Sequence, residues 1–468
     1  MKPSISSTKS FHILRIGLAL AVLAAPVWAQ EQTAAQQDNP KPSHYIVTDL
    51  GPVGPPPGQP FVVTTNDFVS GEVILTDALG GLSHAVLWER GSMKDISTPG
   101  LGGRNSATFG VNIWGQAVGQ ADTLTSAPKG EDFCGSAALG LAPSGNTCMP
   151  FVWQNGAMSA LPTLRDSDGA SGNNGQAWQI NALGEAVGSS ENATADSTCP
   201  GPKVSPQAYE FKPVVWFRFF PWAETQIREL PTISGDPDGV AFAVNERGQA
   251  VGASGACGPF NPITLINLVP LHAVLWENGM AIDLGNLGGD GQFAGIYASG
   301  LNNLGQVVGV SDTTGDAGFH GFLWQKGHIT DLGTLPGDFY SSATAISDRG
   351  QVVGVSLDVN FNPRAVIWQN GKIANINDLV PADTTLILQT GCSINAEGQI
   401  IGIAVAKGTT NDYHAYLATP IYSELGFENT EPAAARRTSE STKTSDGALE
   451  TLPRSHFSRM AARPTGSQ

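Results

Sequence analysis

The chain has 468 residues, a formal net charge of −16 and only 14% charged residues, while glycine is abundant at 56. A net charge of this sign disfavours nucleic acid and anionic membrane surfaces as partners. Low charge with much glycine points to many tight turns rather than long charged helices, and the length allows two or three ordinary domains or one large repeat domain.

Residues 1–29 read as a signal peptide. Lys2, Lys9 and Arg15 make a basic start, "IGLALAVLAAPV" is an apolar run, and "VWA" at Val27–Ala29 places small residues for cleavage after Ala29. The run is about twelve residues, short for a bilayer span. Residues 30–43 read as a disordered linker, and no later stretch is apolar enough to cross a membrane. The mature chain is expected to be secreted or periplasmic and monomeric. Export permits disulfides, and five cysteines leave at least one unpaired in a monomer.

From His44 the chain is written in repeats. "HYIVTDLG" (His44–Gly51) comes first. A second word then recurs as "VNIWGQAVG" (Val111–Gly119), "INALGEAVG" (Ile180–Gly188), "VNERGQAVG" (Val244–Gly252), "LNNLGQVVG" (Leu301–Gly309), "ISDRGQVVG" (Ile346–Gly354) and "INAEGQIIG" (Ile394–Gly402), with a degraded "NDFVSGEVIL" at Asn66–Leu75. The pivotal glycines are Gly71, Gly115, Gly184, Gly248, Gly305, Gly350 and Gly398, spaced by 44 residues (Gly71 to Gly115) up to 69 (Gly115 to Gly184). A third word, "HAVLW" and its kin, ends at Trp88, Trp153, Trp216, Trp276, Trp324 and Trp368. Asn155-Gly156, Asn278-Gly279 and Asn370-Gly371 then supply tight hairpin turns, because both residues accept positive φ. Each unit holds four short strands, and this period is that of propeller blades.

The predicted fold is all-β, a seven-bladed β-propeller over residues 44–420. The first strand, His44–Gly51, matches a lone fourth strand, and "HAYLATP" (His414–Pro420) a lone third strand. The two ends complete one blade, and closure removes free sheet edges. Residues 421–468 are polar, without period, and read as a disordered tail. The six tryptophans fall at one place per unit and are expected to pack between blades.

Alternating strand direction puts the two tight turns of each unit on one face and the two longer connections on the other. Three connections are long, Gln120–Met149, Ser189–Lys212 and Ala253–Leu271, and belong to neighbouring blades. Long loops on a rigid scaffold are the usual place for recognition. Their positions predict disulfides Cys134–Cys148 and Cys199–Cys257, with Cys392 a small buried residue on an inner strand. Asp166, Asp168, Asp236, Asp238, Asp290, Asp338 and Asp383 mark the connections between blades and form a candidate acidic mouth, for a cation or a basic ligand. The competing reading is solvated turn carboxylates. His84, His272, His320 and His414 recur at the head of the third strand, which marks them as repeat features. No nucleophile elbow, phosphate loop or HExxH occurs, so no catalytic residue, metal or cofactor is assigned.

"HAVLWENG…DLGNLGG…GLNNLGQVVGVS" and "HGFLWQKG…DLGTLPGD…AISDRGQVVGVS" resemble the HAF-type extracellular repeat of bacterial exported proteins. The resemblance is strong over residues 272–402, weaker over 84–252 and faint over 44–75. It implies an exported repeat protein and brings no catalytic residues. The expected function is binding of an extracellular or envelope protein or glycan through the long loops. The alternatives are a polysaccharide lyase or glycosidase using mouth carboxylates, which needs two at working separation, and a structural surface component.

Overall fold

The computed structural model describes residues 42 and 44–422, apart from connections at 56–58, 78–79, 128–133, 135–143, 165–173, 200–206, 219–223, 262–265 and 292–294. The predicted signal peptide, most of the linker and the predicted tail from 423 onward lie outside the described residues. Among those described there is no α-helix, and no helix long and apolar enough to cross a membrane.

Seven four-stranded antiparallel sheets form the ring. Blades 1 to 6 are continuous in sequence: 59–95, 102–160, 175–229, 238–283, 297–331 and 340–375. Blade 7 joins Leu386–Ile394, Ile400–Ala406 and Tyr413–Ile421 to the first strand, His44–Pro52. The closing register pairs His44 with Ile421 and Pro52 with His414. The seven-bladed propeller read from the sequence is thus the architecture, sealed where the repeat words indicated.

Local chemistry explains the strands. After the third strand of blades 1, 2, 4, 5 and 6 the two-residue turn has positive φ at both positions, as at Asn155-Gly156, Asn278-Gly279 and Asn370-Gly371, which matches the right-handed twist of the flanking strands. At the inner turn, the asparagine of the "IN" word is fully used. Asn112 Oδ1 accepts from the amides of Trp114 and Gln116 (3.0 and 3.1 Å), and its Nδ2 donates to Gln116 Oε1 (2.8 Å) and to the carbonyl of Asn181 in the next blade (3.0 Å). The same link passes from Asn181 to Asn245, Asn245 to Asn302 and Asn302 to Ser347 at 3.0 Å, and from Asn395 across the closure to Thr64 at 3.2 Å. The repeated Asn is therefore both a turn former and a blade-to-blade tie.

Two placements differ from the sequence reading. In blade 1 the turn position is Asp67 (φ 60°), while Gly71 lies in a strand opposite Val86. Gly71 corresponds to the last glycine of "GQVVG", not to the turn glycine. Asp tolerates the left-handed region, so the blade lacks the letter that marked the turn elsewhere. The last glycine of the word has its own cause. Every inner strand carries a β-bulge three residues before the turn, at Phe61, Phe109, Trp178, Phe242, Ser299, Thr344 and Cys392. The bulge presses a carbonyl onto the facing strand. A Cβ at Gly354 would lie 1.9 Å from the Ser342 carbonyl, and one at Gly252 1.9 Å from that of Val240.

The core is distributed between blades. A separate buried cluster lies at each of the seven blade interfaces. Trp88, Trp153, Trp216, Trp276 and Trp368 are buried in five of them, each between its own blade and the preceding one; Trp324 is half-buried against a sixth, and Ala418 takes the place in the seventh. The indoles of Trp88, Trp216 and Trp276 also donate to carbonyls of the preceding blade, Leu50, Pro162 and Pro231, at 3.1, 2.7 and 2.7 Å. A buried Trp removes roughly 150–250 Å² from water.

Candidate functional site

The inner turns and the turns after the third strand share one face. The connections from second to third strand and from blade to blade share the other, which is strongly uneven. The segments read as long loops are largely extended hairpins. Blade 2 pairs out to Ser126–Asn146, blade 3 to Ala195–Tyr209 and blade 4 to Asn261–Ile266. Each ladder simply continues past the body of its blade, with bulges absorbing the unequal strand lengths.

Disulfides hold these hairpins. Cys134–Cys148 closes a 14-residue span, and Cys199–Cys257 joins blade 3 to blade 4. Cys134 and Cys148 are packed with Phe211, Val240, Leu268, Tyr297 and Phe319 in one cluster reaching across blades 2 to 5. Asp196 Oδ2 lies 3.3 Å from Cys199 Sγ, but both nearby sulfurs are in the disulfide and offer no thiolate to a metal. Cys392 is the free cysteine among the described residues.

The described candidate acids take different places. Asp166 and Asp168 lie outside the described residues, and none of the other five lines the central channel. Asp236 accepts from Ser254 Oγ (2.5 Å) and pairs with His272 Nδ1 (2.8 Å). Asp338 accepts from Ser356 Oγ (2.6 Å) and pairs with Arg364. In both, a carboxylate at the exit of one blade is fastened to the second and third strands of the next. Asp290 and Asp383 are exposed in their connections. Asp238 is fully buried, accepts the Phe211 amide at 2.9 Å and is hydrogen-bonded to Asp196. Burial, then the Asp196 contact, raises its pKa to about 9, so it is a neutral acid at pH 7. With no exposed surface, it cannot meet a substrate.

The repeated histidines also find acids. His84 pairs with Asp95 at 2.7 Å, His320 with Asp331 at 2.8 Å and His414 with Asp49 at 2.9 Å. The partner is the Asp of the "DLG"-type word on the adjoining strand. The hydrogen bond that His320 donates to Asp331 raises the His320 pKa. For His414, partial burial opposes and Asp49 prevails, again upward. These pairs clamp third strand to fourth, and His414–Asp49 does so across the chain ends.

A further feature of the uneven face was not legible beforehand. In blade 6, Tyr340 stacks on Phe361 (centroids 4.7 Å apart) and on Phe319 of blade 5 (5.0 Å). This ladder runs from buried Phe319 to exposed Phe361, with Phe339 and Val359 exposed on the same connections at 58% and 59%. Phe361 has φ 62°, a conformation that a bulky residue adopts only under constraint. Here the Asp358 carboxylate braces it, accepting from the Asn360 and Asn362 amides at 2.7 and 3.0 Å. The only sequence signal was an aromatic in an Asn-rich turn, "DVNFNPR".

No family model matches the chain, and no curated protein matches it. Solved structures resemble it remotely. The β-propeller domain of the Trilobed protease from Pyrococcus furiosus aligns over 80% of this chain and 95% of its own at 10% identity and TM-score 0.44. A puromycin-hydrolysing peptidase of Mycobacterium tuberculosis aligns over 80% and 54% at 10% identity and TM-score 0.39. The Aleuria aurantia lectin aligns over 80% and 100% at 8% identity and TM-score 0.31. These likenesses concern architecture alone, and the seven closed sheets carry the assignment: the chain is a seven-bladed β-propeller.

Proposed function

We propose that this protein is an exported, non-catalytic binding propeller, of the HAF-type repeat kind, that recognises an extracellular or envelope protein or glycan through its uneven face. The observation that carries the reading is the braced aromatic ladder ending in exposed Phe361, beside exposed Phe339 and Val359. Rigid exposed aromatics are what recognition surfaces use as anchors, since little side-chain freedom is lost on contact. The three hairpins of blades 2 to 4 stand on the same face, two disulfides hold them, and both disulfides suit an oxidising compartment.

The test is capture by the mature chain, residues 30–468, from envelope extracts and on a glycan array. Three variants are compared: wild type, Phe339→Ser with Phe361→Ser, and a chain with Gln120–Met149 shortened. The wild type is expected to capture a defined partner, and the Phe double variant to lose affinity about tenfold or more. A partner set unchanged in both variants, or no partner at all, removes the recognition role. The second result leaves the structural-component reading in its place.

A further inference from the structure

The bulge found in every inner strand has a consequence at the ring axis. All seven bulged residues line the central cavity: Phe61, Phe109, Trp178, Phe242, Ser299, Thr344 and Cys392. They divide it in two. Blades 1 to 4 contribute aromatics that pack together, Phe109 stacked on Trp178 at 4.3 Å, with Phe61 and Phe242 edge-on at 5.0 and 5.2 Å. Blades 5 to 7 contribute small residues whose polar atoms are already engaged. Ser299 Oγ and Thr344 Oγ1 each donate to a carbonyl of the next blade at 2.6 Å, and the Cys392 thiol contacts Thr390 at 3.6 Å. One half of the axis is filled by rings. The other half is open, and the resulting cavity measures about 660 Å³, within the range of small-molecule sites.

The cavity reaches the inner turns of the even face, and its far end is walled by Phe319, the buried foot of the Phe361 ladder. Its rim takes one residue from each blade's inner turn, among them Ile113, Glu246, Asn303 and Asp348. Among the described residues no Lys, Arg or His lines the cavity, and the charged ones that do are Glu246 and Asp348, both exposed at the rim. Each already accepts a neighbouring amide, Ala182 at 3.0 Å and Asn303 at 2.8 Å, which fixes it in place with acceptor capacity left. Burial raises the Cys392 thiol to about 11, so it stays protonated and serves as wall, not nucleophile. Arg247 and Arg349 sit on the same turns, engaged with Gln249 and Tyr422.

We propose that this cavity is a second binding site, for a small planar aromatic compound carrying a cationic amine. The ring enters the open half against the aromatic wall, and the ammonium stays at the mouth beside Glu246 and Asp348. An ammonium at the rim keeps much of its hydration, whereas one carried inside would lose it without compensation. An anionic analogue meets two carboxylates among the lining residues.

The test uses tryptamine as probe, with indole and indole-3-propionate as its neutral and anionic counterparts, followed by titration calorimetry on the mature chain. Tryptamine is expected to bind, and indole-3-propionate at least tenfold more weakly. Glu246→Gln and Asp348→Asn are each expected to weaken tryptamine up to about fivefold, the reach of one exposed ion pair, and to leave indole unchanged. Thr344→Phe places in blade 6 the residue that blades 1, 2 and 4 carry at that position, and is expected to fill the cavity and abolish binding of tryptamine and indole. Ser299→Phe does the same from blade 5, should Thr344→Phe lower the unfolding midpoint. Absence of tryptamine binding, equal affinity for amine and acid, or undiminished binding by both filled variants overturns the proposal. Capture through Phe361 on the opposite face is read separately and stands or falls on its own.

Discussion

Replacing Asp238 by Asn tests whether the floor beneath the hairpins is held by a neutral acid. The carboxyl has no exposed surface, and its pKa is raised to about 9, first by burial and then by Asp196. In the unfolded chain it ionises near the ordinary 3.8. A raised folded pKa means the folded state binds the proton more tightly. The associated stability is therefore complete below about pH 4 and is lost progressively as pH rises toward 9. Each pH step in that window costs about 1.4 kcal/mol, so by pH 7 the loss has an upper bound of about 4 kcal/mol. Asn keeps the shape. Its oxygen can accept the Phe211 amide, and its NH₂ can donate to Asp196 as the protonated acid does. Urea unfolding from pH 4 to 9, plotted as the difference between Asp238→Asn and wild type, should rise steadily with pH in favour of the variant. Parallel curves, or a variant equally destabilised at every pH, would refute a buried neutral acid at this position.

Other substitutions probe the ties of the ring. Gly354→Ala should cost about 2–4 kcal/mol in chemical denaturation, because its Cβ meets the Ser342 carbonyl at 1.9 Å, whereas Gly327→Ala, with nothing within 4 Å, should cost only the left-handed penalty of about 1 kcal/mol. Replacing Cys199 and Cys257 by Ser should destabilise by about 4 kcal/mol, against about 3 kcal/mol for Cys134 and Cys148, since the closed spans are 58 and 14 residues. Asn395→Ala removes the donor to the Thr64 carbonyl and should cost about 1–3 kcal/mol, with faster amide exchange at Thr64–Phe68. An unchanged exchange rate there would show that the asparagine ties do not hold the closure.

Strand number, blade count and closure were readable because most repeat words carry their own turn chemistry: a residue followed by Gly, often Asn-Gly, after the third strand, and Asn or Ser with a glycine three residues on at the inner turn. Where the letters change the reading slips, as at Asp67, which takes the glycine's conformation without being glycine. Cys134–Cys148 was readable from its place within one connection, and Cys199–Cys257 from blade adjacency. The need for glycine at Gly354 was not, since it arises from a bulge in the facing strand. The separate uses of the described acids were hidden for the same reason. Asp236, Asp238 and Asp338 look alike in their connections, but Ser254, His272, Ser356 and Arg364 decide their use, and those lie on the next blade. The aromatic half of the axis was present in the sequence at one position per repeat, three before the inner turn. It carries no period of its own, and its meaning appears only when the ring is closed.

Both proposed sites take their faces from the join between the chain's two ends, and a cross-link at that join tests it most directly. Thr48 and Leu417 lie opposite one another in the closing ladder, within reach of a disulfide for facing residues of antiparallel strands. A chain carrying Thr48→Cys and Leu417→Cys, oxidised under native conditions and digested, should yield a peptide joining positions 48 and 417 in high yield, and none when oxidised after unfolding in denaturant. Native protein that leaves the two new thiols free, or links them between molecules, would contradict the closed ring.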